Sequence, residues 1–446
     1  MLTSLKKIYG VLKETHPEED IYLGVVESFL EQIQGFISDN VEFQDIGIIH
    51  RMLEPDRIID FRISWLNGKG KEELNRGYRV QFTNALGPYK GGLRFHPSVN
   101  RDVFKFLAFE QSLKNSLTGL QLGAAKGGSD FDPSKYDEND IMRFCQAFAA
   151  RFYTFTGGNE DVPAGDIGVG EREIGYIFGY TKKLKARFSA DYTGKNLYSG
   201  GSKLRPQATA YGCLYFLEEM FKHHKKDLKN QSINISGSGN VALYACEKAI
   251  EMELKVQTLS DSNGVVYCQK GFNSKMLKFT MELKFKKRGR IKELAEEFDL
   301  EFSEDKSPWD YPCDIALPCA TENELLESDA KNLISNNCYA VVEGANMPCS
   351  HAAVKLFHRN GVLYAPGKAS NAGGVSVSAF EMAQNFTGYA WTKEKLDARL
   401  RETMQKIHSE CLRYGGGIND HPNYLKGANI AGFVRLFRAM KNQGIQ

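Results

Sequence analysis

The chain has 446 residues, more than one ordinary domain of about 100–200 residues holds, so its length predicts two sizeable domains. Apolar residues make up 42% of it and charged residues 25%, which are ordinary globular values and exclude a disordered or fibrous protein. The 57 basic and 55 acidic side chains nearly balance, so no overall field would attract nucleic acid or an anionic membrane. The composition therefore favours small-molecule chemistry.

Signals for export, membrane insertion and metal binding are weak along the chain. The first ten residues contain no apolar core of signal-peptide length, and no stretch approaches the ~20 apolar residues of a membrane helix. Nine cysteines occur without a pair at two-residue spacing, which favours reduced, packed thiols over a zinc site or a redox motif. We therefore predict a soluble, cytoplasmic protein without a metal.

The first half of the chain predicts helices, strands and glycine-rich loops. Apolar residues at helical spacing before residue 55, from Ile21 to Phe36, predict an amphipathic helix. Branched and aromatic runs at 58–65 and 77–83 predict neighbouring strands. Helices are predicted at 101–118 and near 138–155, followed by glycine-rich stretches at 119–128 and 161–170. The polar, glycine-rich segment from Asp191 to Pro206 is predicted to cross between domains.

The second half has the rhythm of a parallel sheet. Short strand-like runs begin at Ser232, Lys255, Cys313, Tyr339 and Gly361, and several are separated by helical stretches. Strands that alternate with helices predict a parallel α/β arrangement.

A G-x-G-x-x-A turn follows the first of these strands. It runs through Gly237, Ser238, Gly239, Asn240, Val241 and Ala242. Glycines let a pyrophosphate approach the N-terminus of the next helix, where free N–H groups and the helix dipole stabilise its charge. Because a strand, a helix and a second strand flank the turn, it predicts dinucleotide binding rather than a merely structural turn.

The end of the next strand leaves the choice of dinucleotide open. Asp261 is suited to a ribose hydroxyl, as in NAD enzymes, whereas Ser262 and a basic cluster are suited to the 2′-phosphate of NADP. The cluster consists of Lys284, Lys286, Lys287 and Arg288. A solvated helix end is the other interpretation of that cluster.

Three lysines of the first half are candidates for holding a dicarboxylic substrate, which needs fixed cations at both ends. They are Lys90, Lys114 and Lys126. A lysine crowded by other cations in a dry cleft loses its proton well below the usual pKa of about 10.4 and can act as a base. Asp166 is a candidate proton shuttle. The alternative interpretation is that these are ordinary solvated side chains.

Several long segments of the chain closely resemble the hexameric glutamate dehydrogenases of bacteria and lower eukaryotes, almost from end to end. These segments are 87–97, 117–133, 161–170, 192–211, 236–242, 316–325, 343–348 and 365–385. The resemblance implies reversible oxidative deamination of L-glutamate to 2-oxoglutarate and ammonium by a homohexamer. Because the run from Ser260 to Ser262 is similar to the NADP-using branch, it implies NADP rather than NAD.

The resemblance also implies a role for each site residue. Lys126 would activate water, and Asp166 would move protons to and from the amino nitrogen. The substrate would be bound by Lys90, Gly91, Gln111, Lys114, Gly165, Val375 and Ser378. The cofactor would be bound by Thr209, Gly237, Ser238, Gly239, Asn240, Val241, Asp261, Ser262, Lys284, Ala320, Thr321 and Asn346.

The predicted fold class is α/β in two domains with a cleft between them. An N-terminal α/β substrate domain would comprise residues 1–200 and 425–446, and a Rossmann-type dinucleotide-binding domain would comprise residues 201–424.

Two other functions stay open, and some residues depart from the family pattern. An amino-acid dehydrogenase of other specificity is disfavoured by the polar Lys90 and Ser378, because related leucine, valine and phenylalanine enzymes use apolar residues there. A non-catalytic glutamate or dinucleotide sensor is disfavoured by the intact Lys126 and Asp166. The departures are Ala124 and Ala125 for glycines, Glu171 for glycine and Glu322 for glutamine, the last near the expected nicotinamide.

Overall fold

The computed structural model describes residues 1–418 and 421–445, which form two compact units. Unit 1 comprises Met1–Lys203, Val377–Leu396 and Asn429–Gln446, and unit 2 comprises Leu204–Ser376 and Asp397–Ala428. The predicted division placed 377–396 in the other domain. These residues belong to unit 1, where Glu381 Oε1 lies 3.0 Å from Lys195 Nζ and Asn385 Nδ2 donates to Gly200 O at 2.7 Å.

Unit 1 is built on a five-stranded sheet in the order β1-β2-β4-β3-β5. Its strands are β1 (Arg57–Leu66), β2 (Glu72–Thr83), β3 (Tyr89–Phe95), β4 (Ala124–Ser129) and β5 (Asp161–Gly165). Its first helices are α1 (Thr3–Thr15), α2 (Asp20–Asp39), α3 (Ile46–Met52), α4 (Arg101–Leu117), α5 (Glu138–Phe152) and α6 (Glu171–Lys185). β2 pairs antiparallel with β1 and β4, whereas β3 runs parallel to both β4 and β5.

The N-terminal region forms three helices rather than the single amphipathic helix that the sequence predicted. Pro17 follows the end of α1, and the residue before a proline is disfavoured in helical geometry. The buried stripe of α2 agrees with the predicted one only in part. Phe29 and Ile33 are buried as predicted, but at the start of the helix Tyr22 and Val26 are buried while Ile21 is 46% exposed. This stripe covers α4, with the Phe29 and Phe109 rings 5.3 Å apart.

Three strands of unit 1 occupy glycine-rich segments that the sequence predicted as loops or left unassigned. β4 lies in the first glycine-rich stretch, β5 in the second, and β3 precedes both. Glycine has a weak strand preference, so the local pattern gave no signal. The pairings join distant segments, because Leu93 lies opposite both Gly127 and Gly165.

A buried ion pair links β2 to β5. Arg79 Nε donates to Asp161 Oδ2 at 2.9 Å, and Gln81 Nε2 donates to the same oxygen at 2.8 Å. A second guanidinium nitrogen, Nη1, donates to Gly91 O at 3.2 Å. Both charged side chains are fully buried. Their bonds connect β2 and β5, which are not neighbours in the sheet.

Unit 2 contains a seven-stranded sheet in the order β12-β11-β10-β6-β7-β8-β9. Its strands are β6 (Ser232–Ile235), β7 (Lys255–Asp261), β8 (Gly264–Tyr267), β9 (Glu301–Ser303), β10 (Ile315–Leu317), β11 (Ala340–Val342) and β12 (Leu363–Ala365), with a separate hairpin of β13 (Gly417–Ile418) and β14 (His421–Pro422). Its helices are α7 (Ala208–His223), α8 (Asn240–Glu251), α9 (Ser274–Glu282), α10 (Lys292–Phe298), α11 (Glu327–Ser335), α12 (His351–Arg359) and α13 (Gly367–Ser370). The strands from β12 to β7 pair in parallel, which confirms the predicted parallel sheet.

Three further helices each contribute to both units. They are α14 (Gly373–Thr387), α15 (Lys393–Gly415) and α16 (Tyr424–Gln443). The division of the chain falls within each of them, after Ser376, Leu396 and Ala428.

All nine cysteines are buried free thiols. Among residues 1–418 and 421–445, no helix combines the length and apolar character needed to cross a membrane.

Candidate active site

A buried lysine and a carboxylate meet on the sheet of unit 1. Lys126 lies in the middle of β4, and its Nζ is 3.1 Å from Oδ2 of Asp166, the residue after β5. Arg94 on β3 donates from Nε to the same carboxylate oxygen at 2.8 Å. The two residues to which the sequence assigned the chemistry are therefore in direct contact.

The surroundings of this pair shift the pKa of both groups. Burial lowers the pKa of the Lys126 ammonium below its usual value, and Arg94 and Arg79 act in the same direction while Asp166 opposes them. Burial disfavours the charged form of Asp166, but Lys126 and Arg94 outweigh it and hold its pKa below the usual value. A lysine that releases its proton readily beside a carboxylate that stays ionised suits general base and proton-shuttle chemistry.

Gly92 leaves the space in which Lys126 and Asp166 meet. A Cβ atom at this position would lie 2.8 Å from Asp166 Cβ and 3.3 Å from Lys126 Nζ. Alternate strand residues share one face, so Lys90, Gly92 and Arg94 lie on the same side of β3. Sequence reasoning named Lys90 but missed Gly92 and Arg94, although this alternation was a signal that pointed to them.

Lys90 lies on β3 and Ser378 on α14, and the short segment at 193–194 makes hydrogen bonds to both elements. Lys90 is only 1% exposed, and its Nζ donates to Thr193 Oγ1 at 2.8 Å. The next residue, Gly194, donates from its backbone N–H to Glu381 Oε2 at 3.0 Å. Glu381 follows Ser378 by three positions on α14, which places both on the same side of that helix.

The other substrate candidates of unit 1 lie on or against β3. Gln111 Nε2 donates to Asn115 Oδ1 at 2.6 Å, and Asn115 Nδ2 donates to the backbone oxygen of Lys90 at 3.2 Å. These bonds fix α4, which also carries the half-buried Lys114, against β3. Gly91 faces Gln111, whose Cγ would lie 3.5 Å from a Cβ at position 91.

Two more of these candidates flank the elements just described. Gly165 pairs with Leu93 at the end of β5. Val375 falls in unit 2, beside Gly374, where an added Cβ would lie 2.5 Å from Oγ1 of the cofactor candidate Thr209.

The turn between β6 and α8 fits a dinucleotide pyrophosphate. Gly237 adopts a positive φ of +83°, and its N–H donates to Ser260 Oγ at 2.8 Å. α8 begins after Gly239 without a side-chain cap, and a Cβ at Gly239 would meet nothing within 4 Å. The N–H groups of the first turn of α8 therefore face open space, as phosphate binding requires.

The remaining candidates of this motif surround the turn. Ser238 is buried, and Asn240 Nδ2 donates to Pro206 O at 2.7 Å. Val241 Cγ1 would lie 3.4 Å from a Cβ at Gly344, a residue that sequence reasoning did not name.

Residues after β10 and β11 border the same turn. Ala320 Cα would lie 3.2 Å from a Cβ at Gly237, and the N–H of Thr321 donates to Glu324 Oε1 at 3.3 Å. Asn346 Oδ1 accepts from Asn371 Nδ2 at 3.1 Å. Ala320, Thr321 and Asn346 thus lie at the carboxyl edge of the parallel strands, where open α/β sheets bind ligands.

Both carboxylate oxygens of Asp261 are engaged within the protein. Oδ2 accepts from Lys284 Nζ at 3.2 Å and from the N–H of Ile291 at 2.9 Å, and Oδ1 accepts from the N–H of Asn263 at 2.9 Å. Burial alone would raise the pKa of Asp261, but these donors outweigh it and lower the pKa. Lys284 lies in a π-helical turn, Leu283–Lys287, a feature frequent at functional sites.

Arg290 is a further residue at this end of the site that sequence reasoning missed. Its Nη1 donates to Ser262 Oγ at 2.9 Å, and both side chains are exposed. The residue follows the named basic cluster by two positions, and an extension of that cluster would have included it.

Two family models match the chain over most of its length. "Glu/Leu/Phe/Val dehydrogenase, dimerisation domain" matches residues 55–183, and "Glutamate/Leucine/Phenylalanine/Valine dehydrogenase" matches residues 200–444. The chain belongs to this family. The family resemblance seen in the sequence is thereby confirmed, together with the two-domain α/β fold.

Similar members of the Glu/Leu/Phe/Val dehydrogenase family are glutamate dehydrogenases. The NAD(P)-specific glutamate dehydrogenase of Xylanibacter ruminicola is 50% identical over 97% of this chain and 98% of its own. The NADP-specific enzyme of Salmonella typhimurium is 48% identical over 99% of both chains. A solved glutamate dehydrogenase structure from Plasmodium falciparum has a TM-score of 0.97 at 44% identity, covering 99% of this chain and 95% of that one.

The departures from the family pattern leave the Lys126–Asp166 contact in place. Ala125 is fully buried in β4. Glu171 opens α6, where its Oε1 accepts from Asn196 Nδ2 at 2.6 Å, and Glu322 is exposed. In residues 1–418 and 421–445 of this family member, no cluster of three or more His, Cys, Asp or Glu residues is arranged to hold a metal.

Proposed function

We propose that this chain is a glutamate dehydrogenase that interconverts L-glutamate with 2-oxoglutarate and ammonium, with NADP as its preferred cofactor. The observation that carries the proposal is the buried contact between Lys126 and Asp166, at 3.1 Å. The names of close relatives, one of them 50% identical over 97% of the chain, support the reaction.

Lys126 and Asp166 divide the proton transfers between them. Once hydride has left the α-carbon, that carbon is the electrophilic carbon of an imine. Lys126, with its lowered pKa, then accepts a proton from water so that the water can attack the imine carbon. Asp166, kept ionised by Lys126 and Arg94, exchanges a proton with the amino nitrogen. When bound at the glycine-rich turn, the dinucleotide supplies or accepts hydride at C4 of its nicotinamide ring.

The substrate proposal depends on fixed positive charge at both ends of a dicarboxylate. Lys114, with Gln111, would bind the α-carboxylate, whereas Lys90 and Ser378 would bind the side-chain carboxylate. Lys90 is almost entirely buried, and its Nζ donates to Thr193 Oγ1 at 2.8 Å. A cation fixed in this way attracts a side-chain carboxylate, whereas the apolar side chain of leucine or valine gains nothing from it.

Two observations at the end of β7 support NADP. The oxygens of Asp261 already accept hydrogen bonds from within the protein, which leaves them less able to hold the ribose hydroxyls of NAD. Ser262 and Arg290, 2.9 Å apart and exposed, offer a hydroxyl and a guanidinium to a 2′-phosphate. The relatives carry NAD(P)-specific, NADP-specific and NAD-specific names, so the preference rests on these contacts.

Absorbance of the reduced nicotinamide, followed with 2-oxoglutarate and ammonium, tests the reaction and the cofactor together. We expect NADPH to be consumed much faster than NADH in parallel cuvettes. Faster consumption of NADH would overturn the cofactor proposal and leave the reaction intact. Consumption of neither, in a protein that still binds glutamate or the dinucleotide, would favour the sensor.

Replacing Arg290 with alanine should raise KM for NADPH by about 10- to 100-fold, because a hydrogen-bonded charge contributes about 1.5–3 kcal/mol. The KM for NADH should stay within about 2-fold, since NADH has no 2′-phosphate. Lys331→Ala is the matched control, because it removes one exposed charge of unit 2 that lies outside the basic cluster. Equal effects of Arg290→Ala on the two cofactors would contradict the assignment.

The homohexamer and the cytoplasmic location stay predictions. The match to a dimerisation-domain model over residues 55–183 supports self-association through unit 1.

A further inference from the structure

Two loops at the carboxyl edge of the unit 2 sheet are bonded to each other along their length. One loop, residues 318–326, follows β10, and the other, residues 343–350, follows β11. Asn323 donates from its N–H to Met347 O at 3.0 Å, and Leu325 donates to Pro348 O at 2.9 Å. The Ser350 N–H donates back to Leu325 O at 2.9 Å, so the loops form one bonded layer.

Backbone strain is concentrated where these loops meet. Asn323 has a φ of +54° and Met347 a φ of +47°, both in the left-handed region. This region is uncommon for residues other than glycine, and more so for a long side chain such as methionine. Such residues persist only where surrounding contacts hold them, and they cluster at ligand-binding sites.

Glu324 supplies one set of those contacts from inside the first loop. Its Oε1 accepts from the N–H of Ala320 at 2.8 Å and from the N–H of Thr321 at 3.3 Å. The N–H of Cys319 donates at 2.8 Å to Ser236 Oγ, in the residue that precedes the glycine-rich turn. Burial raises the pKa of Glu324 more than Ser236 and the two N–H groups lower it.

The position of Ala320 sets the width of the space beside the glycine-rich turn. Its Cα would lie 3.2 Å from a Cβ at Gly237, so the loop and the turn approach as closely as a glycine allows. A displacement of Ala320 by a few tenths of an ångström therefore changes the gap next to the predicted pyrophosphate and nicotinamide positions. The side chain that bonds to the backbone of Ala320 is that of Glu324, whose Oε1 accepts from the Ala320 N–H at 2.8 Å.

We propose that Glu324 is a positioning residue for the dinucleotide: it fixes Ala320 and Thr321 at the distance from Gly237 that cofactor binding needs. The inference rests on the proposed function and extends it to a residue that makes no contact with the reacting atoms. The inference assigns this role to Glu324 and not to its neighbour Glu322. Glu322 lies in the same loop but is exposed and accepts no such bonds among the described residues.

The test compares Glu324→Ala, Glu324→Gln and Glu324→Asp by fluorescence titration of NADPH, with kcat and the melting temperature measured on the same samples. Alanine removes the acceptor, glutamine keeps an oxygen at the same reach, and aspartate is one methylene too short to accept from both N–H groups. Losing one or two hydrogen bonds to a charged acceptor predicts a Kd for NADPH about 10- to 100-fold higher in the alanine variant.

Asp329→Ala is the matched control for a purely structural carboxylate. Asp329 lies five residues further along and accepts from the Leu326 N–H at 2.7 Å, where it caps the start of α11. We expect this variant to melt earlier than the parent and to bind NADPH with an unchanged Kd. The Glu324→Gln protein should bind within about 3-fold of the parent, and Glu324→Asp should fall between glutamine and alanine.

An unchanged Kd in Glu324→Ala would overturn the proposal, as would an equal weakening in Asp329→Ala. If Glu324→Ala does not fold, the order of the glutamine and aspartate variants decides: aspartate binding as tightly as glutamine contradicts the positioning role. A parent protein that binds no dinucleotide at all would instead refute the proposed function.

Discussion

Lys126→Ala is expected to lower kcat by about 10³-fold or more while NADPH binding stays unchanged. General base catalysis by a positioned side chain contributes about 10²–10⁴-fold, and Lys126 would also stabilise charge that develops on the substrate. The Nζ of Lys126 lies 3.1 Å from Asp166 Oδ2. Alanine therefore removes the base and also the cation that contacts Asp166. Steady-state rates with saturating substrates and fluorescence titration of NADPH measure the two quantities separately.

A partly buried lysine of unit 1 provides the control for that substitution. Lys185 Nζ lies 2.9 Å from Asp191 Oδ2, and its side chain is 10% exposed, against 7% for Lys126. Lys185→Ala should lower the melting temperature but leave kcat of the folded protein within about 3-fold. A Lys126→Ala protein that turned over like the parent would refute the mechanism, because Lys126 supplies the ammonium that lies 3.1 Å from Asp166.

Asp161→Ala should destabilise the protein by about 3–5 kcal/mol, the usual cost of leaving one member of a buried ion pair unpaired. Arg79 would lose its carboxylate partner while remaining completely buried, and Gln81 would lose its acceptor. For a unit of this size the melting transition attributable to unit 1 should fall by roughly 10 °C or more. Differential scanning calorimetry measures the change.

The control for this effect is an exposed pair on the same sheet. Asp60 interacts with Arg76, whose side chain is 51% exposed, so Asp60→Ala should cost no more than about 1 kcal/mol. The double variant Arg79→Met with Asp161→Leu should recover much of the lost stability, since apolar residues often replace a buried pair without loss. If the single Asp161 variant melts like the parent, the buried pair does not hold β2 to β5.

The sequence predicted those elements whose local residue pattern indicates their secondary structure and burial. The strands at 232–235 and 255–261 carry apolar side chains that the sheet buries, and the glycine pattern between them marks the turn. These side chains are Ile233, Ile235, Val256 and Leu259. Lys126 and Asp166 were already candidates from their sequence surroundings, and the family resemblance then implied their individual roles. Their contact depends on a sheet whose central strands carry no strand signal.

The parts that were missed depend on distant partners or on broken periodicity. β3, β4 and β5 are rich in glycine, and only pairing with one another makes them strands. Glu322 and Glu324 look alike in the sequence, yet the left-handed Asn323 between them breaks regular alternation, so one carboxylate is exposed and the other lies inside the loop. The donors to Asp261 were equally hidden, because the N–H of Ile291 comes from a later turn.

Because three helices are shared by the units, the unit whose synthesis begins first is the one that is completed last. Unit 2 is complete at Ala428, whereas unit 1, which starts at the N-terminus, still needs Asn429–Gln446. Arg435 in that last stretch donates to Ser116 O at 2.7 Å and to Leu120 O at 2.8 Å, next to α4. At a translation rate of about 5–20 residues per second, the nascent substrate half waits roughly 10–50 s after Lys203 for these contacts. A stop codon shortly before Asn429 would therefore damage the half of the enzyme that was translated first.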